Sequence, residues 1–370
     1  MQKSMILRLV VSWTTVLCFV LFLSHWLEDL SSPVVLTGLF CWLFAVILWS
    51  AFGVVHEAEE LAAMLGEPHG TLILTLSIVI IEVALVAAVM LGAKGAPTLG
   101  RDTMFAVLMI VLNGVVGLGL FIGGLKHREQ SYNLQGAASY LAVLLPLTTV
   151  ALILPNFTTS STGGTLTTMQ STAFSIFTVV LYCVFLITQT GRHRAFYVHT
   201  AEETIVMKIE EDAVKAPANR KALIQHIVLL LANILPIVLL SKGLAKILDY
   251  GISSLGLPAA LGGVVIAAIV FAPEGISALR AVARNDLQRA INLCLGAATS
   301  TVGLTVPVVL AIGVITKQTV ILGLRPTEMT LLAVTLVLSS MTFSNRRTTL
   351  LEGAVHMVVF LVYLVLVFNP

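Results

Sequence analysis

Two glutamates stand where a charge is costly. Glu82 is the one charged residue in Ser77–Met90, "SIVIIEVALVAAVM". Glu274 sits in "AIVFAPEGISALRAV", with Arg280 as the nearest basic residue on its helix. A carboxylate at bilayer depth is expensive, faces the interior of a helix bundle, and marks a functional site by default. Two such groups close together in low dielectric cannot both stay ionised and unpaired, so they take up protons or a cation. The same oxygens cannot hold both, because a metal ligand must be deprotonated. The pair would titrate as a unit, and its chemistry is competition between protons and a cation. A hard cation wants oxygen ligands. Beyond Glu82 and Glu274 as metal ligands, the candidate donors are Ser277, Asn113 in "VLNGVVG", and Thr299 and Ser300 in the polar island "LGAATSTVGL". Thr75 is two turns before Glu82 on the same face. Pro273 frees backbone carbonyls beside Glu274. Each hydroxyl also has an ordinary structural use, since Ser and Thr bond backbone or let membrane helices approach closely.

Such carboxylates need a membrane around them, and the composition supplies one. Of 370 residues, 58% are hydrophobic and 11% charged, and the mean hydropathy is +1.00. Soluble domains carry about a quarter charged residues. Apolar runs of bilayer-spanning length recur near 5–24, 33–55, 70–92, 103–125, 138–155, 171–190, 223–241, 258–279, 288–314, 328–344 and 349–368. This pattern predicts an all-α polytopic membrane protein of about eleven transmembrane helices. The first run, Ile6 to Leu23, lacks a small-residue cleavage pattern and reads as a membrane helix. An odd number of spans puts the termini on opposite sides. With the N-terminus inside, all of the 21 Lys and Arg except Lys94, Arg101, Lys242, Lys246, Lys317 and Arg325 fall on inner segments. That bias predicts a cytoplasmic N-terminus and an external C-terminus. Cys18, Cys41, Cys183 and Cys294 sit singly in apolar runs and read as small buried hydrophobes. No basic, aromatic-laced stretch suggests nucleic acid, and no cofactor motif is present.

The two halves resemble each other. "AEELAAMLGEPHGTLILTLSIVIIEVALVAAVM" and "LAKILDYGISSLGLPAALGGVVIAAIVFAPEGISALRAV" each run from a short amphipathic stretch through Gly and Pro (Pro68, Pro258) into a Glu-bearing apolar helix. A charged turn and a Gly-containing apolar helix follow in both. The Glu82 helix starts inside and the Glu274 helix outside, so the repeats are inverted. The expected organisation is an N-terminal helix (1–30), a five-helix repeat (31–190), an acidic cytoplasmic loop (191–222) and a second five-helix repeat (223–370). Inverted repeats point to a secondary transporter with its site near the midplane, and a pseudo-twofold axis would bring the two glutamates together. The loop, with Glu202, Glu203, Glu210, Glu211 and Asp212, reads as solvated and modulatory.

"HEAEE", His56 to Glu60, lacks the second His of a zincin motif. His56, Glu57, Glu59 and Glu60 read instead as an acidic rim at the cytoplasmic entrance. His226 lies near an inner helix end, and His356 shares a face with Glu352 as a candidate relay.

The whole chain resembles the calcium/cation exchanger superfamily, and within it the bacterial Cha-type calcium (sodium, potassium)/proton antiporters. Glu59-Glu60-Leu61-Ala62 followed by Glu82 matches the first repeat of the proton-coupled branch. Glu274, Gly296-Ala297-Ala298-Thr299-Ser300 and Pro307 resemble the second. The resemblance implies ten core helices in two inverted repeats plus one N-terminal helix. It implies antiport of calcium in the first place, with sodium or potassium as further cargoes, for protons across a bacterial inner membrane. Plant and fungal members carry Gly-Asn ahead of each Glu, where this chain has Ile78-Val79 and Val270-Phe271, and Ser300 replaces the usual Gln. Two other classes stay open at this level. A cation channel would need a continuous pore, and a cation-gated sensor would use the acidic loop. An intramembrane hydrolase lacks a nucleophile–base pair.

Overall fold

A computed structural model describes residues 2–28, 32–66, 69–92, 97–191, 193–197 and 220–369. Most of the acidic loop, with all five of its acids, and Pro68 lie outside the described residues. Among those described are eleven long helices, one for each expected span. They are α1 (Gln2–Glu28), α2 (Pro33–Leu65), α3 (His69–Gly92), α4 (Leu99–His127), α5 (Leu134–Asn156) and α6 (Thr168–Thr190). The second half holds α7 (Arg220–Ser254), α8 (Ala260–Ala283), α9 (Leu287–Thr316), α10 (Pro326–Thr342) and α11 (Leu350–Phe368). Nine of them, within the described residues, are long and apolar enough to cross a bilayer. The chain is an all-α, multi-pass membrane protein.

Local chemistry sets the ends. Ser32 precedes Pro33 at the start of α2, where the missing N–H is one no helix would use. Thr167 and Gln170 form a capping box on α6, and Thr349 and Glu352 form one on α11. The Asp286 carboxylate accepts from the Arg289 amide at the start of α9. Two helices are longer than the apolar runs that predict them. The amphipathic stretch "HEAEELAAML" continues α2 without a break to Gly66, whose φ of 63° ends it. Its counterpart "LAKILDYGISS" likewise continues α7. Apolarity marks only the part in lipid, whereas helical hydrogen bonding runs on until a residue breaks it.

The chain groups into two compact units, Met1–Leu99 with Glu210–Pro273, and Gly100–Ile209 with Glu274–Pro370. They do not coincide with the sequence halves, and the division passes through α8 between Pro273 and Glu274. In the first unit α2 and α7 pack together most extensively, α3 packs on both, and α1 lies against α7 and α2. Leu43, Ile47, Leu61 and Leu85 are fully buried there. In the second unit α11 packs along the C-terminal half of α4, and α9 packs on α5 and α6. The antiparallel pair β1 (Gln130–Ser131) and β2 (Arg347–Thr348) closes one end, with Gln130 opposite Thr348.

The α4–α11 approach depends on glycine. A Cβ on Gly117 would sit 2.9 Å from the His356 Cβ, and one on Gly353 would collide with the backbone of Phe121. Exposed apolar side chains such as Phe177, Val180 and Val184 on α6 and Val358, Leu361 and Val365 on α11 need a hydrocarbon solvent. The cysteines correct the sequence reading. Cys294 is buried, but Cys41 and Cys183 are exposed. In a bilayer an outward face is as apolar as the core, so hydrophobicity does not report burial.

Candidate functional site

Glu82 projects from α3 in the first unit and is 1% exposed. Ser77 is buried on the same helix and returns its hydroxyl proton to the Ile73 carbonyl at 2.7 Å. Ile81, Leu85 and Val86 beside Glu82 on the helix are buried too. In the second unit Glu274 is 3% exposed, and Pro273 precedes it inside α8. Proline has no N–H to donate to the carbonyl one turn back. Ser277 follows one turn on and is half-buried.

The helix after each glutamate helix is interrupted by a π-turn. In α4 it spans Ile110–Val115 and contains Asn113; in α9 it spans Thr301–Thr305. Such turns occur mostly as single insertions within α-helices, frequently at functional sites; a third lies in α5 at Thr149–Ile153. Thr299 and Ser300 lead directly into the second one. Both are buried, and both spend their protons on their own helix: Thr299 on the Leu295 carbonyl at 2.7 Å and Ser300 on the Ala297 carbonyl at 3.0 Å. Their oxygen lone pairs remain the feature of use to a cation, since a hydroxyl is one donor and two acceptors.

Asn113 is held in a network of side chains from α4, α10 and α11. Its Nδ2 donates to the Thr335 hydroxyl at 2.8 Å, and its Oδ1 lies 3.0 Å from His356 Nδ1. His356 Nε2 lies 3.0 Å from the Thr342 hydroxyl. Thr335, Ser339 and Thr342 form a buried polar stripe on α10. The sequence shows that stripe at helical spacing, although the network's partners lie far away in the chain. Glu352, the expected relay partner of His356, accepts instead from Thr349 at the head of α11.

The expected rim residues differ among themselves. Glu59 is exposed, and His56 and Glu60 are half-buried. Glu57 is 1% exposed and turned into the α1–α2–α7 contact. There His226 Nδ1 lies 2.8 Å from its Oε2, and Arg8 Nη2 lies 3.9 Å from its Oε1. Arg8 Nε donates to Asn233 Oδ1 at 3.0 Å. A helix presents different faces at successive positions, which is why neighbours in one acidic run part ways. Among the described residues, no three His, Cys, Asp or Glu side chains converge as a metal site. Hydroxyl, amide or backbone oxygens would have to complete any cation shell.

A family model described as sodium/calcium exchanger protein matches residues 35–191 and 225–369. The protein y4hA of Sinorhizobium fredii is 43% identical over 322 residues, covering 86% of this chain and 85% of its own length. The sodium-potassium/proton antiporter ChaA of Escherichia coli is 37% identical over 322 residues, covering 87% and 86%. A Ca2+/H+ antiporter of Synechocystis is 26% identical over 366 residues, covering 96% of each chain. Among solved structures, native YfkE aligns with a TM-score of 0.73 at 17% identity over 98% of this chain and 100% of that one. The H+/Ca2+ exchanger CAX aligns at 0.68 and 15% identity, over 98% and 88%. At such identities the structural likeness speaks for the fold alone. The matched residues run through both halves and include both buried glutamates, and the chain belongs to the sodium/calcium exchanger family, on the Cha-type branch of the calcium/cation exchanger superfamily.

Proposed function

We propose that this protein is a secondary antiporter that exchanges a cytoplasmic cation for protons, with Glu82 and Glu274 as the carboxylates that carry one or the other. The observation behind the proposal is that each half buries a carboxylate in the middle of an apolar helix, Glu82 and Glu274, and follows that helix with a π-turned one. A buried, otherwise costly acid in both halves is retained for what it binds. Protonation and cation binding exclude each other at one set of oxygens. Each site state therefore carries one cargo, and an inward proton gradient drives cation export. Alternating access between the two faces suits a fold of this kind. The orientation follows the basic-residue bias, with the N-terminus in the cytoplasm of a bacterial cell.

Calcium, sodium and potassium are the candidate cargoes. Val79, Val270 and Phe271, just ahead of the glutamates, are buried and apolar. They supply no side-chain oxygen where calcium would want about six to eight ligands in all. The likeness to a sodium-potassium/proton antiporter at 37% identity points the same way. The acidic loop reads as a modulator of activation, outside the carrier itself.

Cation-dependent proton movement in proteoliposomes of purified protein tests the proposal, with the three cations run side by side. Glu82→Gln or Glu274→Gln keeps the shape and removes the ionisable group. Each should abolish exchange, lowering it by at least about a hundredfold, a loss of transition-state and binding stabilisation near 2.7 kcal/mol. In the wild type, apparent cation affinity should strengthen as pH rises. Near-normal exchange by either variant would defeat the assignment, and affinity that stays flat from about pH 6 to 9 would place protons and cation at different groups.

A further inference from the structure

We propose that His356 is a positioning residue that fixes the carboxamide of Asn113, a candidate cation donor in the α4 π-turn, in a single orientation. The inference rests on the antiport reading and goes beyond it, since His356 touches no candidate carboxylate.

Keeping the short Thr335–Leu331 hydrogen bond selects one assignment of the network's protons. Thr335 donates its only hydroxyl proton to the Leu331 carbonyl at 2.8 Å. With its proton placed there it accepts from Asn113, and the group 2.8 Å away is the amide nitrogen. That turns Asn113 Oδ1 towards His356 at 3.0 Å and requires Nδ1 of the imidazole to carry a proton. In the neutral ring Nε2 is then an acceptor, and Thr342 at 3.0 Å donates to it. Asn113 and His356 are both 0% exposed, so water offers neither an alternative partner. An inverted amide would have to draw the Thr335 proton away from the Leu331 carbonyl and move the imidazole proton to Nε2; with both left in place, its NH2 would face the imidazole N–H. Buried mismatches of this kind are what polar networks exclude. A carboxamide oxygen has two lone pairs; His356 uses one and the other remains. The amide nitrogen would repel a cation, so the orientation decides whether Asn113 can serve one at all. Gly117 and Gly353 let α11 approach closely enough for His356 to reach.

The test exploits the two nitrogens of the ring. The nitrogen of an Asn side chain falls near His Nδ1, and that of Gln near His Nε2. His356→Asn keeps a donor to Asn113, His356→Gln keeps a bond to Thr342 with the hydroxyl now accepting, and His356→Leu keeps neither. Exchange is measured in proteoliposomes for calcium, sodium and potassium, with the wild type and Asn113→Ala alongside. For the transported cation, His356→Gln and His356→Leu should raise the apparent KM about tenfold, the scale of one buried hydrogen bond, with kcat within about twofold. His356→Asn should stay near wild type, and His356→Leu should add nothing in the Asn113→Ala background. If the His356 variants do not fold, Thr335→Val should raise KM while Thr342→Val does not. Equal defects in the Asn and Gln variants would overturn the proposal, as would additivity with Asn113→Ala or equal effects of the two Thr→Val variants. In each of these cases antiport itself would still stand. Absence of cation-dependent proton movement in the wild type would instead remove the antiport reading and this inference together.

Discussion

Each compact unit buries one polar cluster around a histidine, and the two clusters follow different rules. In the first unit Arg8 and Glu57, with His226 against the same carboxylate, join α1, α2 and α7. In the second, Asn113, Thr335, His356 and Thr342 join α4, α10 and α11 without a formal charge. The charged cluster ties α1 to α2 and α7. Its bonds are uneven: 2.8 Å from Glu57 to His226, 3.9 Å to Arg8, with Asn233 taking the Arg8 Nε. The neutral cluster lies next to the π-turn of α4 and its contacts fall between 2.8 and 3.0 Å. A buried ion pair need add little net stability, yet removing one partner is costly because the other charge is stranded. A neutral network orients groups at smaller cost. Attachment and orientation are thus separate tasks given to separate chemistry.

The comparison breaks most visibly at Glu57. Glu57→Leu strands the Arg8 guanidinium and should destabilise the protein by about 3–5 kcal/mol, while Arg8→Leu with Glu57→Leu should recover much of the loss. Thermal unfolding in detergent reads both, and a single variant as stable as wild type would show that the cluster is not an ionic fastening. Thr335→Val comes next. It removes the acceptor for the Asn113 amide and should cost about 1–3 kcal/mol in the same assay. A loss as large as that of Glu57→Leu would erase the distinction between the clusters. The smallest effect belongs to the exposed Arg347–Glu129 pair, 2.8 Å apart with side chains 71% and 51% exposed. Arg347→Ala should cost about 0.2–1 kcal/mol and less at high salt, a baseline for pairing outside the bilayer.

Most of the scaffold was legible in the residues. Span-length apolar runs announce eleven helices because a bilayer permits only helices or closed barrels to satisfy backbone groups. Glu82 and Glu274 stand out because few other residue types would be as costly in their places. The π-turns were not legible: "VLNGVVG" and "TSTVGLT" mark polar islands, but an extra residue in a helical turn leaves no periodicity in so short a window. The extent of α2 and α7 was underestimated because hydropathy sees lipid rather than hydrogen bonds.

The sequence by itself determined the membrane class, the helix count, the family and the pair of acids, since each depends on residue type and local spacing. Tertiary structure alone decided that Glu57 turns inward to Arg8 and His226 while Glu59 faces out. It alone decided that His356 serves Asn113 rather than Glu352. Asn113 and His356 are 243 positions apart. No local pattern encodes a hydrogen bond across such a separation; it exists only because glycines at the α4–α11 contact let two backbones come close enough to form it.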